Sequence, residues 1–383
     1  MIYFDHAATS PPLEDVTRTM AEVMAQHYGN PSSLHRLGDE SGKLLKKARE
    51  VCADALKVKP SEIVFTSGAT ESNNLALKGA AWQYINRGKH IVTTTIEHPS
   101  VFECCEQLQG LGWEVTYLPV NASGQVTVKQ VSDAIREDTI VVSVMHVNNE
   151  IGTVQPIAEI GAMLKNNYPR VLFHVDGVQG FGKIPLSISD CGIDLYSLSA
   201  HKWRGPKGVG LLYVRDGLVL SPLMAGGGQE GGLRPGTENV PSIVGMAKAI
   251  RLASENVTAK SQEMSRLKEI LVHGIQDLPQ LVLNSGRDGA PHIVHFSYPG
   301  MKAEVILHML EEEGFIVSTQ SACSSKYLEP SRILLAMGKD AATASSGIRV
   351  SLGSEHTEDH INKLLNSLTK IINKLQKLKG EPS

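Results

Sequence analysis

Short apolar runs alternate with helix-like stretches through the first half of the chain, and this rhythm constrains the fold more than any other feature. The apolar runs lie at residues 63–65, 90–95, 115–118, 139–146, 171–175, 194–198 and 209–214. Helices are predicted around them at residues 13–27, 44–56, 100–110, 127–136 and 156–167, and a further one from about residue 71. Strands that alternate with helices form a largely parallel sheet with helices on both faces. The sequence therefore predicts an α/β fold.

Polar residues stand just beyond the ends of several predicted strands. They are His98, Asn149, Asp176, Gln179 and Lys202. In open α/β sheets, ligands bind outside the carboxyl ends of the strands. Because these residues come from separate strands, we expect them to converge on one site.

Lys202 has the most restricted surroundings of these residues. It directly follows Ser-Ala-His and stands just before a Gly-Pro-Lys-Gly turn. One interpretation is an ordinary loop lysine beside a turn. The other is an amine nucleophile that forms a Schiff base. This stretch alone leaves both open.

A turn of small residues, TSGAT at residues 66–70, links the first strand to a helix predicted from about Glu71. Backbone N–H groups and the helix dipole bind anions at such a junction. The glycine pattern is neither Walker A nor GxGxxG, so a single phosphate is indicated rather than ATP or a dinucleotide. A plain βα loop with a Thr or Ser cap is the alternative.

These residues together match the needs of a pyridoxal-phosphate site, in which a lysine forms the Schiff base. The turn at residues 68–70, with Ser199 and His201, can hold the phosphate. Asp176 can keep the pyridine nitrogen protonated through a charge-assisted hydrogen bond. Gln179, three residues later, can reach the phenolic oxygen. This combination favours the nucleophile interpretation of the lysine.

The alternation breaks at residues 225–239, a glycine-rich loop. It is either a flexible linker or, through Arg234, Thr237 and Asn239, part of a site. A long helix is predicted next, at about residues 241–278.

The remaining chain is predicted to form a smaller α+β unit. Its elements are expected at residues 292–298, 303–313, 315–319, 347–352 and 357–378. One strand carries Arg349, and a loop of small polar residues carries Cys323. We expect two domains: residues 14–255, which bind the cofactor, and residues 1–13 with 256–383, which carry the cysteine loop.

Composition excludes several classes of protein. The formal net charge is −3 and charged residues make up 20% of the 383 residues, which does not indicate a nucleic-acid or membrane partner. The N-terminus lacks the basic and apolar regions of a signal peptide. The five cysteines are an odd number without a CxxC pair. Reduced thiols in the cytoplasm are therefore expected.

The chain resembles the cysteine desulfurases, the NifS/IscS group of fold-type I pyridoxal-phosphate enzymes in the class V aminotransferase family. The resemblance runs from residue 4 to residue 353. The matching stretches, in order, are FDHAATSPP, GNPSS, FTSGATESNN, TIEHPSV, MHVNNEIGTVQP, HVDGVQGFGK, SLSAHKWRGPKGVGLLYV, GGGQEGGLRPGTENV, SACSS and SSGIRVSLG.

This resemblance implies a role for each candidate residue. The catalytic residues would be Cys323 as the nucleophile, Lys202 as the Schiff-base lysine and His98 as the histidine stacked on the cofactor ring. The cofactor-binding residues would be Ala69, Thr70, His98, Asn149, Asp176, Gln179, Ser199, His201, Lys202 and Thr237. Thr237 would reach the phosphate of the other subunit, which implies a homodimer. Arg349, assisted by Asn149, would bind the substrate carboxylate.

The implied reaction converts L-cysteine to L-alanine and leaves the sulfur on Cys323 as a persulfide. An acceptor in iron–sulfur cluster assembly or tRNA thiolation would then collect it. No metal is expected, apart from Cys323 as a transient iron–sulfur ligand. A selenocysteine lyase, another lyase or aminotransferase of the same fold, and a non-catalytic sulfur carrier stay open. Some relatives dock an iron–sulfur scaffold with a longer C-terminal extension, so that route is in doubt here.

Overall fold

The computed structural model of the protein describes residues 1–319 and 329–379. The strands are β1 (Ile2–Tyr3), β2 (Ile63–Thr66), β3 (His90–Thr94), β4 (Glu114–Leu118), β5 (Thr139–Ser143), β6 (Leu172–Asp176), β7 (Leu195–Ser199), β8 (Gly210–Val214), β9 (Val282–Leu283), β10 (Ile293–Ser297), β11 (Phe315–Ile316) and β12 (Gly347–Ser351). The helices are α1 (Glu14–Gln26), α2 (Arg36–Leu56), α3 (Ala69–Gln83), α4 (Pro99–Gly110), α5 (Val128–Ala134), α6 (Ile157–Asn167), α7 (Val240–Ser254), α8 (Val257–Gln276), α9 (Ala303–Glu312), α10 (Arg332–Ala336), α11 (Ala341–Ala344) and α12 (Glu358–Lys379).

A seven-stranded sheet organises the first part of the chain, in the order β2-β8-β7-β6-β5-β3-β4. Five of these strands, β7, β6, β5, β3 and β4, pair with one another in parallel. Strand β8 is antiparallel to both β7 and β2. The predicted α/β fold with a mostly parallel sheet is confirmed, and β8 is the exception within it.

Alternate residues of the strands pack against helices on opposite faces of this sheet. Phe65 and Val142 join a core with α1, α2, α6 and α7. Their neighbours Val64 and Val141 join a second core with α3 and α4. This follows from the two-residue period of a β-strand. The sheet is therefore buried on both faces, and only its edges and strand ends remain for a site.

A second group of elements surrounds the three-stranded sheet β12-β10-β9. Its apolar core contains side chains from α8, α9 and α12 together with Phe4 from the start of the chain. Strand β1 also pairs in parallel with β11. The N-terminal residues thus pack with the C-terminal part of the chain. The predicted division into residues 14–255 and residues 1–13 with 256–383 stays a prediction.

The single helix predicted at residues 241–278 is instead two helices, α7 and α8. Glu255 is extended at the end of α7, and Asn256 adopts a left-handed conformation with φ 54°. Asparagine tolerates this region better than most residues. Apolar periodicity continues on both sides of the break, so the pattern could not reveal it.

Two further boundaries differ from the prediction. Helix α3 begins at Ala69, two residues early, so its first turn comes directly after Gly68. Strand β5 ends at Ser143, although the N–H groups of Val144 and His146 still bond to β6 carbonyls. The chain beyond β5 therefore stays beside β6 without regular strand geometry.

Four cysteines, Cys52, Cys104, Cys105 and Cys191, are buried free thiols. Burial raises the pKa of Cys52 to about 12 and that of Cys104 to about 11. Cys52, Cys104 and Cys105 pack in the apolar cores. Within residues 1–319 and 329–379, no helix combines the length and apolar character needed to cross a membrane.

Candidate active site

A cavity of about 520 Å³ opens at the carboxyl ends of the parallel strands. It brings together the predicted residues Ala69, Thr70, His98, Asn149, Asp176, Gln179, Ser199, His201, Lys202 and Arg349. This volume lies within the usual range for a small-molecule site. The expectation that strand-end residues converge on one place therefore agrees with the geometry.

Two predicted residues are not among those that line this cavity. Thr237 is exposed on the loop between β8 and α7. Cys323 lies outside the described residues. The chain on either side of segment 320–328 lies at or beside the site: Ser318 pairs with Arg349 through two backbone hydrogen bonds, and the Ser331 hydroxyl donates to the carboxylate of Glu150, the residue after Asn149.

Lys202 is held by a part of the chain to which we assigned no role from sequence. It lies in the 3₁₀ turn Ala200–Trp203 that follows β7. Its amine donates to the carbonyl oxygens of Ala7 at 2.7 Å and Ala8 at 2.8 Å. These carbonyls fix the amine at the cavity wall.

Asp176, at the end of β6, and His98, in the loop after β3, face the cavity and are linked by two polar side chains. The Asn73 amide donates to Asp176 Oδ2 and to Ser100 Oγ, each at 2.8 Å. Ser100 Oγ lies 2.8 Å from His98 Nδ1. Neither Asn73 nor Ser100 was predicted, although both lie in stretches that match the cysteine desulfurases. Two candidate residues are thus oriented by one buried network.

The hydrogen bonds of His98 determine its tautomer. Its Nδ1 accepts from the backbone N–H of Ser100 at 3.1 Å, so the proton lies on Nε2. Burial and the charges of Lys202 and Arg332 lower the pKa of His98 to about 4. His98 is therefore a neutral ring at physiological pH, able to stack on a planar group.

Asp176 is a buried carboxyl whose charge is only partly compensated. Burial raises its pKa, while hydrogen bonds from Asn73 and the Val178 N–H and the charge of Lys202 oppose the rise. A protonated ring nitrogen beside this carboxylate would supply the missing positive charge. The site thus fits a heterocyclic cation at this point.

An anion cradle lies where β2 meets α3. Gly68 has φ 153° and ψ 177°, a conformation open essentially to glycine alone. The first N–H groups of a helix have no intrahelical acceptor and carry the positive end of its dipole. Ser199, His201 and Lys207 line the cavity at the same place. The exposed Lys207 adds a cation that we did not predict.

The glycine-rich loop after β8 is tied to this end of the sheet, and is not a free linker. Glu230 accepts from Arg49 and from the Phe65 N–H, each at 2.9 Å. Arg234 Nε donates to Glu71 in the first turn of α3 at 3.0 Å. The loop that carries Thr237 is therefore anchored beside the anion cradle.

Arg349 lies on β12 and reaches the opposite end of the cavity with its side chain only 1% exposed. Its guanidinium donates to the Asn149 carbonyl at 2.7 Å and to the Asp5 carboxylate at 2.9 Å. Its Nε has no hydrogen-bond partner among the described residues. Asp5, another residue that we did not predict, thus orients a buried cation that can bind a carboxylate.

We predict that Arg349→Ala raises the KM for an amino-acid substrate by about a hundredfold, or about 2.7 kcal/mol, because the carboxylate loses its buried partner. Steady-state kinetics measure the effect. The matched control is an amine analogue of the substrate that lacks the carboxylate, for which the variant should equal the wild type. An unchanged KM for the amino acid would contradict this role.

Comparison with known proteins decides the family. The model of the family described as "Aminotransferase class-V" matches residues 2–364. The chain belongs to this family. A "Cysteine desulfurase IscS" from Dictyoglomus turgidum is 43% identical over 377 residues, covering 98% of this chain and 95% of the relative. One from Methanosarcina thermophila is 41% identical over 378 residues, covering 98% and 93%.

Solved structures of class-V relatives have the same fold. A "NIFS-LIKE PROTEIN" has a TM-score of 0.90 and 39% identity, covering 98% of this chain and 99% of that one. A structure described as "SspA in complex with cysteine" has a TM-score of 0.81 and 37% identity, covering 93% and 100%. The resemblance to the NifS/IscS group and the fold-type I architecture are confirmed.

The class-V enzymes use pyridoxal phosphate, and the residues of this cavity fit it. The lysine amine, the buried Asp176 carboxyl and the neutral His98 ring match its aldehyde, ring nitrogen and ring face. The cradle at Gly68 matches its phosphate. These matches come from four separate elements, so the fit does not depend on one motif.

Proposed function

We propose that this class-V enzyme is a cysteine desulfurase that converts L-cysteine to L-alanine and receives the sulfur on Cys323 as a persulfide. One observation carries the proposal: a lysine, a buried carboxyl and a buried arginine face one cavity. The curated relatives named cysteine desulfurase support the choice of substrate.

In this proposal the ring of His98 would stack on the cofactor. Lys202 would bind it, Asp176 would pair with its ring nitrogen, and Gln179 and Asn149 would lie near its phenolic oxygen. Ala69, Thr70, Ser199 and His201 would hold its phosphate. When bound, pyridoxal phosphate supplies an electron sink for the α-carbon of the substrate.

Lys202 and Arg349 have separate roles toward the substrate. The guanidinium of Arg349 holds the carboxylate and thereby places the α-proton toward the amine of Lys202. That amine removes the α-proton and returns a proton later in the reaction. The carbonyls of Ala7 and Ala8 hold the amine in place while it carries a positive charge.

Cys323 accepts the sulfur. Its thiolate attacks the substrate sulfur, the carbon–sulfur bond breaks with its electrons remaining on the carbon side, and protonation there completes alanine. Cysteine and the enzyme thiol thus become alanine and an enzyme persulfide, with no external oxidant. The contacts of Ser318 and Ser331 with the site, at the two ends of segment 320–328, support this assignment.

The direct test is the formation of alanine from L-cysteine by the holoenzyme, with L-serine as the matched control substrate. We expect alanine and, with a thiol reductant, an equal amount of sulfide. Serine lacks the sulfur atom and should give neither product. Absence of alanine from cysteine would contradict the proposal, and release of selenium from selenocysteine without any need for Cys323 would favour a selenocysteine lyase.

We also propose that the enzyme is a homodimer in which Thr237 reaches the phosphate of the other subunit. The exposure of Thr237 on a loop anchored beside the cradle supports this. We predict that cofactor occupancy falls with dilution in step with dimer dissociation, as followed by sedimentation and by the visible absorbance. A monomer with full occupancy would contradict the shared site.

The persulfide is proposed to pass to an acceptor protein in the cytoplasm, for iron–sulfur cluster assembly or tRNA thiolation. The odd number of cysteines, five, and the lack of a CxxC pair support a reducing compartment. Incubating the persulfide-loaded enzyme with candidate acceptors and measuring labelled sulfur on each distinguishes these pathways. Labelling of none of the acceptors would contradict delivery to a protein.

A further inference from the structure

A chain of hydrogen bonds runs from the amine of Lys202 to a histidine outside the cavity. The amine donates to the Ala7 carbonyl at 2.7 Å, and the amide nitrogen of Gln179 donates to the same carbonyl at 2.9 Å. The amide oxygen of Gln179 lies 3.3 Å from Nε2 of His292. His292 stands directly before β10 and is 1% exposed. The chain of hydrogen bonds thus joins the start of β10, in the three-stranded sheet, to the cavity.

The direction of each hydrogen bond in this chain is determined by chemistry. The carbonyl of Ala7 can only accept, so the NH₂ group of Gln179 must face it. The amide oxygen of Gln179 then faces His292 and can only accept. His292 must therefore donate from Nε2, which assigns the neutral tautomer with its proton on that nitrogen.

The surroundings of His292 maintain this tautomer. Nδ1 is buried without a hydrogen-bond partner among the described residues. Burial and the nearby charges of Lys183, Lys268, His6 and Arg349 lower the pKa of His292 well below its usual value. The ring stays neutral at physiological pH, so its single N–H is committed to the amide of Gln179.

We propose that His292 is a positioning residue that locks the Gln179 amide with its second N–H directed into the cavity. An amide can rotate by half a turn at little cost unless its two ends face different partners. With the carbonyl of Ala7 at one end and the histidine N–H at the other, only one orientation satisfies both groups. The inference rests on the proposed function, in which this second N–H donates to the phenolic oxygen of the cofactor.

The test is a pH titration of the visible absorption band of the holoenzyme. A donor at the phenolic oxygen stabilises its anionic form, so losing that donor should move the titration midpoint of His292→Leu to higher pH by about one unit. His292→Gln, which can keep an N–H donor near the position of Nε2, should titrate like the wild type. His292→Phe replaces the leucine variant if that variant does not fold.

Two controls separate positioning from a general effect on packing. His90 is also buried but lies at the amino end of β3, whereas the cavity is at the carboxyl ends of the strands, so His90→Leu should leave the midpoint unchanged. If His292 acts through Gln179, then the double variant of His292→Leu with Gln179→Leu should shift no more than Gln179→Leu alone.

An unmoved midpoint in His292→Leu, or shifts that add in the double variant, would overturn the inference. A wild-type protein that binds no visible chromophore would instead contradict the proposed function. The two failures are therefore distinguishable in one set of spectra.

Discussion

Lys202→Ala is expected to lower the turnover of L-cysteine by at least about three orders of magnitude, because in the proposed mechanism this residue both binds the cofactor and moves the α-proton. The alanine variant should still fold, since Lys202 is only partly buried and its two carbonyl partners, Ala7 and Ala8, line the cavity. Its visible spectrum should change to that of a cofactor with no covalent bond to the protein. Alanine production and the absorption spectrum measure the two effects.

Lys165→Ala is the matched control for this substitution. Lys165 is exposed in the last turn of α6, away from the residues that line the cavity. Its removal should leave both the spectrum and the turnover unchanged. A Lys202→Ala enzyme that kept the wild-type spectrum and rate would refute the assignment of the lysine.

Cys323→Ser should have the second largest effect, and a different one. The serine hydroxyl cannot become a persulfide, so sulfide formation from L-cysteine with a thiol reductant should fall by at least about two orders of magnitude. The cofactor band should be the same as in the wild type, because no contact with the cofactor is assigned to Cys323. A sulfide assay beside the absorption spectrum tests both statements.

Cys191→Ser is the control that separates this thiol from cysteines in general. Cys191 is buried before the start of β7, and burial raises its pKa, which keeps it a thiol. Its replacement should not change the sulfide yield. Unimpaired turnover in Cys323→Ser would assign sulfur transfer to another group.

The α/β architecture could be predicted because its determinants are local. Apolar runs such as residues 139–146 and 171–175 are recognised from the spacing of their apolar residues and from their length alone. Their polar ends, including Asp176, then indicate a site through a general rule of parallel sheets. What this rhythm did not predict was the direction of β8, because antiparallel pairing with β7 depends on a partner rather than on the strand's own sequence.

The break between α7 and α8 escaped prediction for a related reason. The apolar spacing passes through Glu255 and Asn256 without interruption, and only the backbone conformation of Asn256 ends the helix. The left-handed backbone conformation of a single residue does not alter the spacing of apolar residues in the sequence. Asparagine is merely permissive for it.

The residues that line the cavity could be predicted more completely than those that orient them. Lys202 and Asp176 stand in recognisable stretches at strand ends. Asp5, Asn73 and His292 act through other side chains from distant parts of the sequence. Asp5, for example, meets Arg349 only because β1 and β12 belong to the same C-terminal core. Such pairings require the assembled fold.

The most direct measurement is a single turnover of the holoenzyme with L-cysteine, followed by mass spectrometry of the peptide that contains Cys323 and by quantification of alanine. We expect one additional sulfur atom on Cys323, formed in the same amount as alanine. The corresponding peptide of the Cys323→Ser variant should be unmodified. Alanine formed without sulfur on Cys323, or sulfur found on Cys191 instead, would contradict it.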